Sequence, residues 1–299
     1  MTITGLATTI DEIHAKFDHF QTDEGKAVGD AFIPESTDII ISPYPKSGTT
    51  WTQQIVHSLR TQGDMDFGEI TEVVPWISMS YDLGIDLTTP QKAHPRAFKS
   101  HHKWDDIPKG ARYIISIRNP KDVVVSDYRF LGDWIFDTSL INISEFAKAF
   151  PLKDDDYWTH LESWWSQYDN PDVLFLCFED MKADLIGTIR QVATFMQIPL
   201  DDELLAIVEQ HASFDFMKAH QSQFDDHLIR QHRNEAMGLP LTATTTKVQD
   251  GKVGSHKTQL PPDLITYIES RWQTAINPDY GLTSYDVVRE KIRQRHLNA

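Results

Sequence analysis

Within five consecutive residues, Lys46-Ser47-Gly48-Thr49-Thr50, the chain sets one full positive charge among three hydroxyl donors. That set suits the oxygens of a terminal phosphate or sulfate, which accept charge-assisted hydrogen bonds. Pro43 and Pro45 just upstream cannot donate to a sheet, and Gly48 tolerates positive φ. The stretch therefore reads as a loop whose amide hydrogens turn into one concavity. Two further positions carry reactive types. Lys99 lies beside His101 and His102, a cation next to side chains that titrate near neutrality. Arg118 offers a forked donor pair to phosphate oxygens, with Asp122 as a competing partner across a helix start. On residue type alone either histidine is more readily a surface or core residue than a base.

The elements that must position these groups are short apolar runs. Residues 39–42 form a β-branched run that stops at the prolines, as a buried strand does at a turn. After the loop, Trp51, Ile55, Val56 and Leu59 recur near helical spacing, with Thr49 or Thr50 available as the cap. Strand, loop and helix start together make an anion site. The order differs from a Walker A loop, because here the lysine precedes the glycine. Residues 97–104 read as a strand end entering a loop, at the sheet edge where α/β proteins bind ligands. Residues 112–117 form a second β-rich run that delivers Arg118 to a helix through Val123, Val124, Val125, Ser126 and Tyr128. Residues 173–178 are a continuous apolar strand, with Cys177 an inert core thiol.

Elsewhere the pattern predicts helices near residues 10–20, 185–196, 201–211, 260–276 and 285–299. Trp158, Leu161, Trp164, Trp165 and Tyr168 share helical spacing and read as core. Residues 67–87 read equally as a packed loop near a substrate pocket or as plain core, and residues 134–140 as a substrate loop. Residues 21–37 and 219–256 read as loops, the second long, polar and mobile.

A chain of 299 residues without repeats or linkers fits one domain spanning residues 1–299, a length at which α/β folds are often a single domain. The 28 Lys and Arg against 44 Asp and Glu give a formal charge of −16, which argues against a general nucleic-acid surface. A polyanionic ligand then needs a local basic pocket. The acidic runs at Asp154–Asp156, Asp201–Glu203 and Asp225-Asp226 read as solvated faces or helix starts. One cysteine excludes an intrachain disulfide and fits a reducing compartment. No signal peptide or span of roughly 18 apolar residues is legible, so the expectation is a soluble, cytoplasmic protein with no membrane partner.

Tyr44-Pro-Lys-Ser-Gly-Thr-Thr-Trp51 resembles the 5′-phosphosulfate loop of cytosolic-type sulfotransferases. Those enzymes use 3′-phosphoadenosine 5′-phosphosulfate (PAPS) as sulfonyl donor and release 3′-phosphoadenosine 5′-phosphate (PAP). The resemblance extends over about residues 36–282 and implies the family's P-loop-like α/β fold, a single domain with a central parallel sheet flanked by helices. Lys99-Ser100-His101 is similar to the family's Lys-Thr-His, which makes His101 the catalytic base and Lys99 a sulfonate ligand. Arg118 and Ser126 match the pair that holds the 3′-phosphate, and Trp51 the adenine-stacking ring. Phe178 stands where the family has an adenine-contacting tyrosine, and Ser213 in a further adenine segment whose usual threonine is Ala212. Gly251-Lys252-Val-Gly254-Ser-His256-Lys257 is similar to Arg-Lys-Gly-x-x-Gly-x-Trp-Lys, but with Gln249-Asp250 and His256 at three key places. On this alignment the 3′-phosphate clamp is weaker, unless Lys247 or Lys252 substitutes.

The resemblance implies sulfonyl transfer from PAPS to a hydroxyl, amine or guanidinium nitrogen of a small molecule. Lys46 stabilises the leaving oxygen, and lysines replace the metal a kinase would use. A P-loop-type kinase and a non-catalytic nucleotide-binding protein of the same fold are the alternatives. The acidic composition inclines the acceptor toward a cationic or polar metabolite. The family's dimerisation motif has no match in residues 258–269, so the oligomeric state is open.

Overall fold

The computed structural model describes residues 5–132, 134–243, 245–248 and 251–298. Four parallel strands, β1 (Ile39–Ile41), β2 (Ala97–Lys99), β3 (Arg112–Ile117) and β4 (Val173–Cys177), form one sheet in the order β2-β1-β3-β4. β1 sits centrally, with Ile40 opposite Phe98 on one side and Tyr113 on the other. The chain leaves β1 for β2 and then crosses to β3, so the order reverses between β1 and β3. In open α/β sheets that reversal opens a crevice at the carboxyl ends of the strands.

Alternation along the strands supplies two cores. Ile40, Phe98, Tyr113, Ile115 and Phe175 face a cluster with Trp158, Trp164, Leu264 and Ile292. Ile39, Ile41, Ala97, Ile114 and Leu176 face the other, with Ile55, Leu59, Ile189 and Val208. Helices Thr49–Thr61, Leu185–Met196 and Asp202–His211 cover the second face; Asp156–Trp165, Pro262–Arg271 and Tyr285–Asn298 cover the first. A third cluster, built on Ile13, Phe130, Trp134, Phe146 and Ile229, caps the carboxyl end of the sheet. At the opposite end Arg96 grips the fully buried Asp38 through two bonds of 2.9 and 2.6 Å, tying the entry of β1 to that of β2.

Two expectations need correction and a third is narrowed. Residues 21–37 hold a helix, Asp23–Asp30, capped by the Thr22 hydroxyl on the Gly25 amide. Residues 219–256 are not one loop, because Phe224, Ile229, Met237 and Leu239 are buried and the helix His227–Arg233 packs Ile229 into the cap. Of the two readings for Asp225-Asp226, helix start holds and solvated face does not: Asp226 is the N-cap of His227–Arg233, buried in the left-handed region (φ 58°) and paired to Lys247. The other acidic runs start helices as well: Asp201 caps Leu204, and Asp155 precedes Asp156–Trp165. Gln249 and Asp250 lie outside the described residues. Among the described residues no helix is long and apolar enough to cross a membrane.

Candidate active site

Every strand ends at the same crevice and delivers a chemical group to it. β1 runs into the loop carrying Lys46 and Gly48, β2 ends at Lys99 with His101 two residues on, β3 hands over Arg118, and β4 Phe178. These residues line one cavity of about 740 Å³, together with Thr49, Thr50, Trp51, Ser126, Ser213, Gly251 and Lys252. Of the site residues expected from the sequence, only Ser47 stands apart. Its side chain is fully buried behind the loop, in a small void with Ser116, Tyr157 and His160, and its carbonyl accepts from the Ser116 hydroxyl at 2.7 Å.

The loop turns at Lys46 (φ 64°) and Gly48 (φ 101°). A side chain at Gly48 would be strained by that φ and would lie 3.1 Å from the Phe178 ring, so only glycine brings loop and ring together. Gly48, not Thr49 or Thr50, is the N-cap of Thr49–Thr61, and no side chain closes the helix start. The first amides stay available to an anion. Thr49 Oγ1 is buried without a partner among the described residues, as is Arg118 Nε, and both residues line the cavity. Orphaned buried donors at a helix start are what a phosphate-bearing ligand would satisfy. By this observation the residues present fit PAPS.

Arg118 spans the switch point. Its Nη1 donates to the Lys46 carbonyl at 3.0 Å, and its guanidinium lies 4.4 Å over Phe178. Asp122, the rival partner, is taken: it accepts from the Gly254 and His256 amides at 2.7 and 3.0 Å and from His256 Nδ1 at 2.8 Å. Burial opposes its ionisation, but those bonds outweigh it and hold the carboxyl below its usual range. His256, standing at the family's tryptophan position, thus anchors the glycine segment to the helix that bears Ser126. Gly251 (φ 55°) passes against Phe214, where a Cβ would come within 2.8 Å of the ring. Trp51 donates to the Ala212 carbonyl at 2.8 Å and meets Phe178 edge-on at 5.5 Å, leaving two aromatic walls for a base.

At the other end the histidines separate. His101 Nδ1 lies 2.8 Å from the Pro43 carbonyl, which fixes the proton on Nδ1 and leaves Nε2 as a bare acceptor. The His101 ring lines the cavity, whereas His102 does not; its carbonyl is held by Ser42 and Trp164 at 3.0 and 3.1 Å. Burial, with Lys99 adding to it, keeps His101 well below its ordinary pKa and therefore neutral. Lys99 Nζ sits 3.7 Å over Trp76 and Lys46 Nζ 3.5 Å over Phe130. Burial, reinforced by Lys247, brings both lysines down to about 7. Asp127 opposes this at Lys46 and is itself raised to about 6 by burial.

Sequence reasoning named none of the groups that answer these lysines individually. Asp127, Asp226, Trp76 and Phe130 all line the cavity, and Glu69 is buried close enough to influence Lys99. Trp76 and Glu69 come from the 67–87 stretch, read as a loop near a substrate pocket or as core, and Asp127 follows Ser126 on the same helix. The expected substrate loop is present only at its first residue: Trp134 lines the cavity but is locked by its bond to Asn234 at 2.9 Å.

The sulfotransferase domain family matches residues 36–279. The chain belongs to the sulfotransferase family. It is 31% identical over 220 residues to sulfotransferase 2A1 of Rattus norvegicus, covering 70% of this chain and 76% of that one. It is 33% identical to sulfotransferase 1E1 of Mus musculus, covering 64% and 69%. The fold is that of mouse sulfotransferase SULT7A1 complexed with PAP (TM-score 0.64, 22% identity, 85% and 90% covered). A retinol dehydratase in complex with androsterone and inactive PAP is also similar (TM-score 0.63, 18% identity, 86% and 84% covered). Membership makes this chain a PAPS-dependent sulfotransferase acting on small molecules, and the kinase and non-catalytic alternatives are not favoured.

Proposed function

We propose that this sulfotransferase uses His101 as general base, Lys46 and Lys99 as the cations of the transfer centre, and Arg118 with Ser126 as the 3′-phosphate site. The observation that carries the reading is the pinned His101: one ring nitrogen is spent on Pro43, and the other is bare in the cavity that Lys99 and Lys46 also line. Bound PAPS supplies a sulfonyl group on a phosphate leaving oxygen. His101 Nε2 takes the proton of the acceptor hydroxyl or amine as its oxygen or nitrogen bonds to sulfur and the bond to the phosphate oxygen breaks. Lys46 meets the charge left on that oxygen, and Lys99 with the helix-start amides meets the sulfonyl oxygens. With that charge supplied by side chains, transfer is metal-independent in this reading.

Trp51, Phe178 and Ser213 form the adenine end, with Gly251 and Lys252 closing over it. Phe17, Phe20, Trp76, Phe130, Trp134 and Phe150 wall the acceptor end. Those walls suit an acceptor with an apolar body presenting one hydroxyl or amine, rather than the cationic metabolite the composition favours. Asp127 and Asp226 are each set against a lysine and leave little charge for an acceptor cation. We place this reaction in the cytoplasm, in keeping with a lone buried cysteine kept unreactive by burial. The test is transfer of labelled sulfonyl from PAPS to a panel of phenols, alcohols and amines with a chelator present. Transfer to at least one panel member by the wild type, strongly reduced in His101→Ala, supports the reading; transfer that requires added Mg²⁺ contradicts it.

A further inference from the structure

Lys247 reaches the cavity from a strap, residues 245–248, tied at both ends. The Thr245 hydroxyl donates to the Phe130 carbonyl at 2.6 Å, and Lys218 Nζ to the Val248 carbonyl at 2.8 Å. Between these ties the Lys247 side chain, 11% exposed, points inward and bonds Asp226 Oδ2 at 2.5 Å. Asp226 is buried, and its Oδ1 has no partner among the described residues. Lys247 Nζ lies 5.9 Å from the centre of the Phe130 ring, the same ring that carries Lys46 Nζ at 3.5 Å.

The sequence admitted Lys247 as a stand-in for the 3′-phosphate clamp. The structure puts it at the other end. After burial it is the strongest influence on both Lys46 and Lys99, and it also acts on His101. Lys247 is not among the groups that act on Arg118, which are Asp122, Glu179 and Tyr285, with Lys46 at the next position along the cavity. Three ammonium groups crowded without an anion are unfavourable. Asp226 compensates them while the site waits, held ionised by Lys247 and Lys99 against the cost of burial. Glu69, raised to about 7 chiefly by burial, stands by as a further acid in the same field.

We propose that Lys247, positioned by Asp226, is a third lysine of the transfer centre that engages the sulfonyl end of the donor and not its 3′-phosphate. The proposal rests on the PAPS reading above. Lys247 donates to the oxygens that PAPS has and PAP lacks, and Asp226 fixes where the ammonium stands.

Calorimetric titration without acceptor separates the possibilities, using PAPS, PAP and adenosine 5′-phosphate on the wild type, Lys247→Met and the double variant Asp226→Asn/Lys247→Met. The double variant removes both buried partners, so no lone charge is stranded to unfold the protein. Loss of a charge-assisted contact weakens binding about ten- to a hundredfold. Lys247→Met and the double variant should therefore lose about tenfold or more for PAPS, keep PAP within about twofold, and keep their preference for PAP over adenosine 5′-phosphate. A variant that loses that preference would make Lys247 a 3′-phosphate ligand and overturn the proposal. PAPS and PAP affected equally, or not at all, would leave Lys247 a structural partner of Asp226 and overturn it too. A wild type that shows no preference for PAP over adenosine 5′-phosphate would sink the PAPS reading beneath it, before any variant is compared.

Discussion

Replacing His101 separates the general base from every other contribution of the cavity. The ring does two jobs through two atoms: Nδ1 holds the Pro43 carbonyl at 2.8 Å, and Nε2 faces the cavity. His101→Asn keeps an amide donor near the Nδ1 position and removes the base; His101→Ala removes both. Because burial and Lys99 hold the imidazole well below its ordinary pKa, it is the free base across neutral pH. The full contribution of a general base, roughly 10² to 10⁴ in turnover, is therefore at stake in both variants. That is about 3 to 5 kcal/mol of barrier. The donor end, built from Arg118, Trp51 and Phe178, is untouched, so PAP affinity should stay within about twofold of wild type. The assay is steady-state transfer to a panel acceptor alongside PAP titration. Turnover within threefold of wild type in His101→Asn would refute the base assignment, and a loss matched by an equal loss of PAP binding would make His101 a structural residue.

Three further outcomes follow from the same geometry. Arg118→Met should weaken PAP about ten- to a hundredfold while leaving adenosine 5′-phosphate little changed; equal losses for both would mean that Arg118 serves only to hold the Lys46 carbonyl. Lys46 and Lys99 must be protonated to meet developing charge, and burial lowers both to about 7 in the free protein. The rate per donor encounter, kcat/KM for PAPS, should accordingly fall as pH rises through about 7, with the limb belonging to the lysine cluster as a whole. On the acid side the depressed His101 keeps its base form well below its ordinary range, so activity persists there; a kcat/KM profile flat from pH 6 to 9 would contradict the lysine assignment. Arg96→Met strands the buried Asp38 carboxylate and should cost about 3 to 5 kcal/mol in a urea unfolding titration. A change under 1 kcal/mol would show that water reaches Asp38.

What the sequence made legible was what local order encodes. The β-branched run before Pro43, the glycine that alone fits at position 48, and the Asn119-Pro120 helix start all declare themselves over a few residues. Those fixed the strand ends, and with them Lys46, His101, Arg118 and Phe178. The choice between His101 and His102 came only through the resemblance, because one residue of register decides which ring faces the cavity. Ser47 was misplaced for a related reason: its hydroxyl counts as a donor in any linear inventory, yet the turn at Lys46 sends it behind the loop. The Asp226–Lys247 pair was out of reach, since two residues 21 positions apart in a polar stretch carry no periodic signal. Only burial of Phe224 and Ile229 folds that stretch over the cavity.

The most direct test is calorimetric titration of the wild type with PAP beside adenosine 5′-phosphate, ADP and ATP, each with and without Mg²⁺. Micromolar binding of PAP that needs the 3′-phosphate and ignores the metal is the predicted result. Equal affinity for PAP and adenosine 5′-phosphate, or tighter Mg²⁺-dependent binding of ATP, would contradict it.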